Sequence, residues 1–330
     1  MNTQQWLKAA PSLHKPLPIL SFPGARLIGA TVSELVRSGE QQAACMQAVA
    51  ARWDTLASVS LMDLSVEAEA FGSPVRFASD EVPTVTAAIL TEDDDPDTLA
   101  VPEVGAARTG EYIKTIALAK ERIADRPIFA GSIGPFSLAG RLLDMSEIMV
   151  LCYEAPELVH AVLEKAAAFL AAYNTALRAA GADGLIMAEP AAGLLSPALN
   201  AEFSTPYVRR IFDAVRREDF AVIYHNCGNT IPLIESLLEN GADAYHFGNA
   251  IDLSEMLKLV PGDIPVLGNL DPAGQLRMGT TESVRAATLA ILDKCAPHGN
   301  FILSSGCDIP PGATLENIDA FFAAVKEFYA

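Results

Sequence analysis

The stretch "AAGADGLIMAEP" (residues 179–190) decides how the chain folds. It ends a long helical pattern with a glycine, turns through Ala-Asp, and enters a short apolar run that stops at an acid. "NGADAYHFG" (240–248) repeats the same order of events. A glycine just past a helical run fits a C-terminal cap, because glycine adopts the left-handed backbone at no steric cost. An apolar run without alternation fits a strand covered on both faces, as in a parallel sheet.

Worked outward, the same grammar predicts strands at Pro18 to Phe22, Ser58 to Leu64, Pro127 to Ile133, Asp183 to Glu189, Ala221 to Cys227, Asp243 to Gly248, Ile264 to Asn269 and Phe301 to Gly306. Helical patterns fall between them at Ser33 to Leu56, Val104 to Ile123, Pro156 to Ala180, Ala201 to Arg217, Ile231 to Asn240, Leu253 to Val260 and Glu282 to Cys295. Eight strand–helix units predict a (β/α)8 TIM barrel, with a doubly wound open sheet as the alternative. The whole of 1–330 reads as one domain, since no low-complexity linker divides it. Residues 1–54 read as an N-terminal helical cap packed on the barrel. Between Glu67 and Pro102 the pattern weakens: "PVRFASDEVPTVTAAI" suggests an extra hairpin and "TEDDDPD" a solvated turn.

Composition excludes several classes of function. A formal charge of −18 without clustered Lys and Arg argues against a nucleic-acid partner. Apolar runs are short and interrupted, so none spans a bilayer, and the N-terminus lacks a secretory pattern; a soluble, cytoplasmic protein is expected. Five scattered cysteines do not form a disulfide framework. Cys45, Cys152 and Cys295 lie inside helical patterns and read as buried structural thiols. His14, His160 and His298 read as surface, helix-face and loop residues.

Barrel enzymes place their chemistry at the C-terminal ends of the strands. Glu189, His225, Cys227, His246, Asn269, Asp271 and Cys307 all stand there. In "AVIYHNCGNT" (221–230) one residue separates His225 from Cys227, so both side chains leave the same face of the strand while Asn226 points away. The pair alone is read equally well as half a metal site or as a buried histidine beside an inert thiol. Cys307, in "SSGCDIPPG" directly after the last strand, supplies a third soft donor at the same rim and favours metal. Zinc takes imidazole and thiolate together, and catalytic zinc sites use three protein ligands with a fourth position open. Glu189 is a candidate displaceable ligand, Glu189 or His246 a candidate proton acceptor, and Asn269 and Asp271 candidate substrate-binding residues, all on rim position. His246 is read equally well as a satisfied core histidine.

From about residue 55 to 330 the chain resembles the uroporphyrinogen decarboxylase superfamily, in "MDLSVEAEAFG" (62–72), "GSIGPFSLAG" (131–140), "GADGLIMAEPAAGLLSP" (181–197), "GNLDP" (268–272) and "SSGCDIPPGATLENIDAF" (304–321). Within it, His-x-Cys plus a late Cys resembles the zinc-dependent methylcobalamin:coenzyme M methyltransferases, matched here by His225, Cys227 and Cys307. The resemblance implies a (β/α)8 barrel in which zinc activates a small thiol, such as coenzyme M, for methyl transfer from methylcobalamin or a separate corrinoid protein. No Asp-x-His-x-x-Gly corrinoid motif occurs in the chain itself. The decarboxylase branch fits less well, because "PLPILSFPGARLIG" (16–29) offers Arg26 alone where those enzymes carry several arginines for a carboxylate-rich tetrapyrrole. A metal-independent decarboxylase and a non-catalytic zinc-binding partner of a corrinoid system are the alternatives.

Overall fold

Side chains of the long strands alternate between two separate cores, and this alternation decides which residues reach the interior. The computed structural model describes residues 2–330. Its strands are β1 (Ser58–Val59), β2 (Val75–Arg76), β3 (Thr84–Val85), β4 (Ile128–Ile133), β5 (Gly184–Ala188), β6 (Ala221–Asn226), β7 (Ala244–Phe247), β8 (Val266–Leu270) and β9 (Phe301–Ser305). β1 and β4 to β9 form one curled parallel sheet in which spatial order follows chain order. Helices return the chain between these strands, among them Thr109–Arg122, Pro156–Ala179, Thr205–Val215, Leu253–Leu259 and Thr281–Cys295.

The concave side of the sheet carries a small core that includes Phe129, Ile186, Ala188, Ala221, Ile223, Ala244, Leu267 and Ile302. Their sequence neighbours Leu185, Met187, Val222, Tyr224, Tyr245, Phe301 and Leu303 face the helices and join the larger outer core. The period of two is the strand's own geometry. Gly181 and Gly241 have positive φ (111° and 71°), as expected of glycines that end helices.

The N-terminal segment packs on this sheet. Helix Thr3–Ala9 brings Leu7 into the inner core, and its Trp6 ring lies 6.2 Å from that of Phe129. Thr3 Oγ1 donates to the Asp219 carbonyl just before β6, so this helix covers the N-terminal ends of the strands, opposite the rim that carries the candidate site. The helical pattern from Ser33 to Leu56 is two helices, Val32–Leu35 and Gly39–Arg52. Ser38 between them caps the second through its hydroxyl, which accepts from Gln41 N–H. Likewise Ala201 to Arg217 divides where Pro206 starts a new helix.

Two of the expected strands are corrected. Pro18 to Phe22 is not a strand: residues 16–19 run extended and Phe22–Gly24 is a 3-10 turn. Leu17 N–H donates to Leu303 O of β9, and on the other side Leu56 N–H, just before β1, donates to Pro16 O. The segment thus bridges the two edges of the sheet, but Pro16 and Pro18 have no N–H with which to build a ladder. Ser58 to Leu64 shortens to Ser58–Val59, because Ser60 turns its hydroxyl onto Gly131 N–H and Asp63 onto Ser65.

The excursion after β1 is the expected hairpin, β2 paired antiparallel with β3. Phe77 is held between two guanidinium groups, 3.7 Å from Arg37 and 4.9 Å from Arg108. Among the described residues no helix is long and apolar enough to cross a membrane.

Candidate metal centre

β6 aims His225 inward, in phase with Ala221 and Ile223. Asn226 points outward and is fully buried, donating its amide to Glu189 O (2.6 Å) and accepting Gly228 N–H (2.8 Å). It therefore ties β5 to the turn that carries Cys227. β9 delivers Cys307 two residues beyond its end. One donor atom from each of His225, Cys227 and Cys307 lies within 4.8 Å of the others, and Cys307 Sγ is 3.5 Å from His225 Nε2. His225 is buried while both cysteines keep some exposure, so the cluster is open on one side. Gly248, after β7, makes room for it: a Cβ there would stand 2.5 Å from Cys227 Cα.

The electrostatics of the two thiols are unequal. The hydrogen bond from Cys307 lowers Cys227, and the resulting thiolate holds the Cys307 proton in place. Both sulfurs become thiolates together only beside a cation, which is the arrangement a soft divalent metal supplies. Three donors of this kind with one open side fit zinc.

The remaining rim residues do not join the cluster. Ala188 of β5 stands opposite His225 of β6 and faces the interior, so Glu189, one residue on, faces outward. Its Oε1 accepts from the N–H (2.6 Å) and hydroxyl (3.1 Å) of Ser137 in helix Pro135–Leu143, and burial pushes its carboxyl up to about 8. Glu189 is thus neither a fourth ligand nor a base at the sulfurs here. His246 of β7 lies behind His225, with its Nδ1 2.7 Å from His225 Nδ1 and its Nε2 2.7 Å from Ser304 Oγ. It is fully buried and held neutral by desolvation, and it does not face an incoming thiol. Asn269 donates to the carbonyls of Gly248 (2.9 Å) and Ile251 (3.0 Å), supporting the loop beside Cys227. Asp271 caps the following helical turn by accepting from Ala273 and Gly274 N–H. Both bind backbone groups in this geometry, and neither lines the arginine-bearing cavity.

Sequence reasoning missed the cavity next to the cluster. It holds about 740 Å³ and is lined by Arg26, Arg141, Arg277, Met62, the hairpin tip from Ser79 to Val85, and Asp308, the neighbour of Cys307. None of the three arginines pairs with a carboxylate of the chain among the described residues. Asp80, Glu81 and Asp308 line the same cavity, and the three guanidinium groups, without a carboxylate partner, are available to an anionic group of a ligand. Each arginine is isolated in sequence, so only folding reveals the group. Beneath the cavity, Asp63 is buried against Arg108, Ser65 and Tyr112, and Glu67 accepts Ile133 N–H (3.1 Å). Burial raises Glu67 to about 7.

Residues 19–328 match the uroporphyrinogen decarboxylase (URO-D) family. A methylcobamide:CoM methyltransferase of Methanosarcina mazei is 30% identical over 271 residues, covering 81% of this chain and 78% of the relative. A methylated-thiol–coenzyme M methyltransferase of the same organism is 28% identical over 271 residues, covering 80% and 71%. The solved structure of a methyltransferase from Methanosarcina mazei superposes with a TM-score of 0.85 at 24% identity, over 96% of this chain and 95% of that one. The chain therefore belongs to the uroporphyrinogen decarboxylase family and resembles that family's methyltransferases.

Proposed function

We propose that the protein is a zinc-dependent methyltransferase that moves a methyl group from a methylated corrinoid to a small anionic thiol, of which coenzyme M is the model. The observation that carries this reading is the convergence of His225, Cys227 and Cys307 beside the arginine-lined cavity. The methyltransferase relatives support it, as does the poor fit of a tetrapyrrole decarboxylase to three soft donors. Zinc bound by these three residues would hold the acceptor sulfur as a thiolate at neutral pH.

The chain's own residues supply the rest. Arg26, Arg141 and Arg277 hold the acid group of the acceptor and so direct its sulfur toward Cys227 and Cys307. With the metal bound, the two cysteine thiolates would offset its charge and leave the acceptor sulfur electron-rich. That sulfur attacks the methyl carbon of the corrinoid: a carbon–sulfur bond forms, the cobalt–carbon bond breaks, and its electron pair stays on cobalt as cob(I)alamin. The corrinoid arrives on a separate protein that docks at the open rim. We further read the extended segment at residues 16–19 as the eighth stave, which makes the sheet a closed (β/α)8 barrel, and the chain as one cytoplasmic domain with residues 1–54 as its cap.

The test is zinc-loaded protein mixed with methylcobalamin and a panel of thiols, followed by absorbance. Stoichiometric zinc and thiol-dependent loss of methylcobalamin, fastest with acidic thiols, are expected. Protein that holds no zinc after reconstitution would point to metal-independent decarboxylase chemistry. Zinc with no thiol methylated would point to a non-catalytic partner of a corrinoid system.

A further inference from the structure

We infer that His246 and Ser304 are positioning residues that hold a hydrogen on Nδ1 of His225, so that Nε2 is the nitrogen turned to the two sulfurs and left to bind a metal. The inference rests on the zinc reading of His225, Cys227 and Cys307. Its core, however, is a hydrogen-bond chain that can be followed without metal.

The chain starts at a backbone carbonyl, which only accepts. Ser304 Oγ lies 2.7 Å from Leu17 O, so the single hydroxyl hydrogen is committed there. The same oxygen lies 2.7 Å from His246 Nε2 and must accept, which places a hydrogen on Nε2. Its other nitrogen, Nδ1, lies 2.7 Å from His225 Nδ1, a distance that holds one hydrogen, and accepts it if His225 is the donor. A second acceptor, the His246 carbonyl at 3.2 Å, faces the same nitrogen of His225. Both require a hydrogen on His225 Nδ1. The other nitrogen, Nε2, faces the sulfurs, 3.5 Å from Cys307 Sγ.

The fold makes this chain possible. His225 and His246 are direct partners in the β6–β7 pairing, and Ser304 lies in phase with inward-facing Ile302 on β9. All three members are buried, so water does not compete for their protons. A ligating histidine is oriented and its tautomer fixed by the partner of its second nitrogen, and loss of that partner typically weakens metal binding by about 10–100-fold. Here the partner is another histidine, itself polarised through a serine by the segment that joins the sheet's edges.

The test uses ¹⁵N-histidine-labelled, metal-free full-length protein. Long-range ¹H–¹⁵N NMR correlations report the protonated nitrogen of each ring, and chelator competition reports zinc affinity. Wild type should show His225 protonated at Nδ1 and His246 at Nε2. His246→Gln keeps an acceptor for His225 and a donor for Ser304, so it should retain the His225 tautomer and bind zinc within about threefold of wild type. His246→Leu should give a mixed His225 tautomer and weaken zinc by about 10–100-fold. Ser304→Ala should release the His246 tautomer and weaken zinc about tenfold, and it carries the test if His246→Leu does not fold.

A wild-type His225 that carries no hydrogen on Nδ1 overturns the inference. So does a folded His246→Leu or Ser304→Ala variant with unchanged tautomers and affinity, or a folded His246→Gln as damaging as Leu. Failure of the zinc reading looks different: wild type binds no zinc while the tautomers stand as assigned, which upholds the hydrogen-bond chain and sinks the metal.

Discussion

Cys307 Sγ lies 3.5 Å from His225 Nε2 although 82 positions separate them in sequence and β9 is three strands from β6. Two loops therefore meet over the middle of the sheet, and the candidate centre depends on both. Cys307→Ala, Cys227→Ala and His225→Ala should each lose stoichiometric zinc, a fall in affinity beyond the about 100-fold that a supporting residue costs. Elemental analysis after dialysis checks this, and a Cys307→Ala protein that retains full zinc would remove that residue from the ligand set.

Gly248 has no space for a methyl group. Its Cβ would approach Cys227 Cα to 2.5 Å and the Cys227 carbonyl to 2.9 Å, which are backbone atoms that cannot rotate away. Gly248→Ala should thus displace Cys227, lower stability by about 1–3 kcal/mol and weaken zinc. Urea unfolding together with metal titration tests both effects. Unchanged zinc affinity would mean that the loop moves while the sulfur stays.

The cavity arginines predict selectivity between acceptors. Replacing Arg26, Arg141 or Arg277 by Ala should raise KM for coenzyme M about tenfold, as loss of a hydrogen bond to a charged group would. KM for the neutral thiol 2-mercaptoethanol should hardly change. If both thiols suffer alike, the arginines act on folding or on the corrinoid instead.

Two buried acids predict how stability responds to pH. Burial raises Glu67 to about 7 and Glu189 to about 8 in the folded state, from an ordinary 4.5. Between these values the folded chain binds protons that the unfolded chain has released. Their contribution is therefore complete below pH 4.5 and falls as pH rises toward 8, by at most about 1.4 kcal/mol per pH unit for each group. Glu189→Gln keeps the acceptor for Ser137 and should flatten the decline. Urea midpoints at about pH 5, 6.5 and 8 measure it, and an equally steep decline in the variant would clear Glu189 of the effect.

Much of the fold could be read because glycines at 181 and 241 mark where helices give way to buried strands. The cluster of His225, Cys227 and Cys307 could be read because period-two geometry places the first two on one face and Cys307 follows the last strand. Glu189 misled because position in chain does not give phase: Ala188 lies opposite His225, so the acid faces the helices. Asn269 and Asp271 misled for another reason. The residue types that bind substrates also hold loops and cap helices, and here they do the latter. The edge-joining segment has a strand's apolar pattern but not its ladder, since Pro16 and Pro18 lack donors. The cavity arginines come from three helical segments far apart in the chain and had no shared local signature.

The contact between Leu17 and β9 has a consequence for biosynthesis. Ser304 reaches Leu17 O across 287 positions, and Cys307 comes still later in the chain. A nascent chain that has emerged only through β6 owns His225 and Cys227 but neither the third donor nor the serine that polarises their support. The three-residue cluster is thereby completed only when the last part of the polypeptide returns to meet the first.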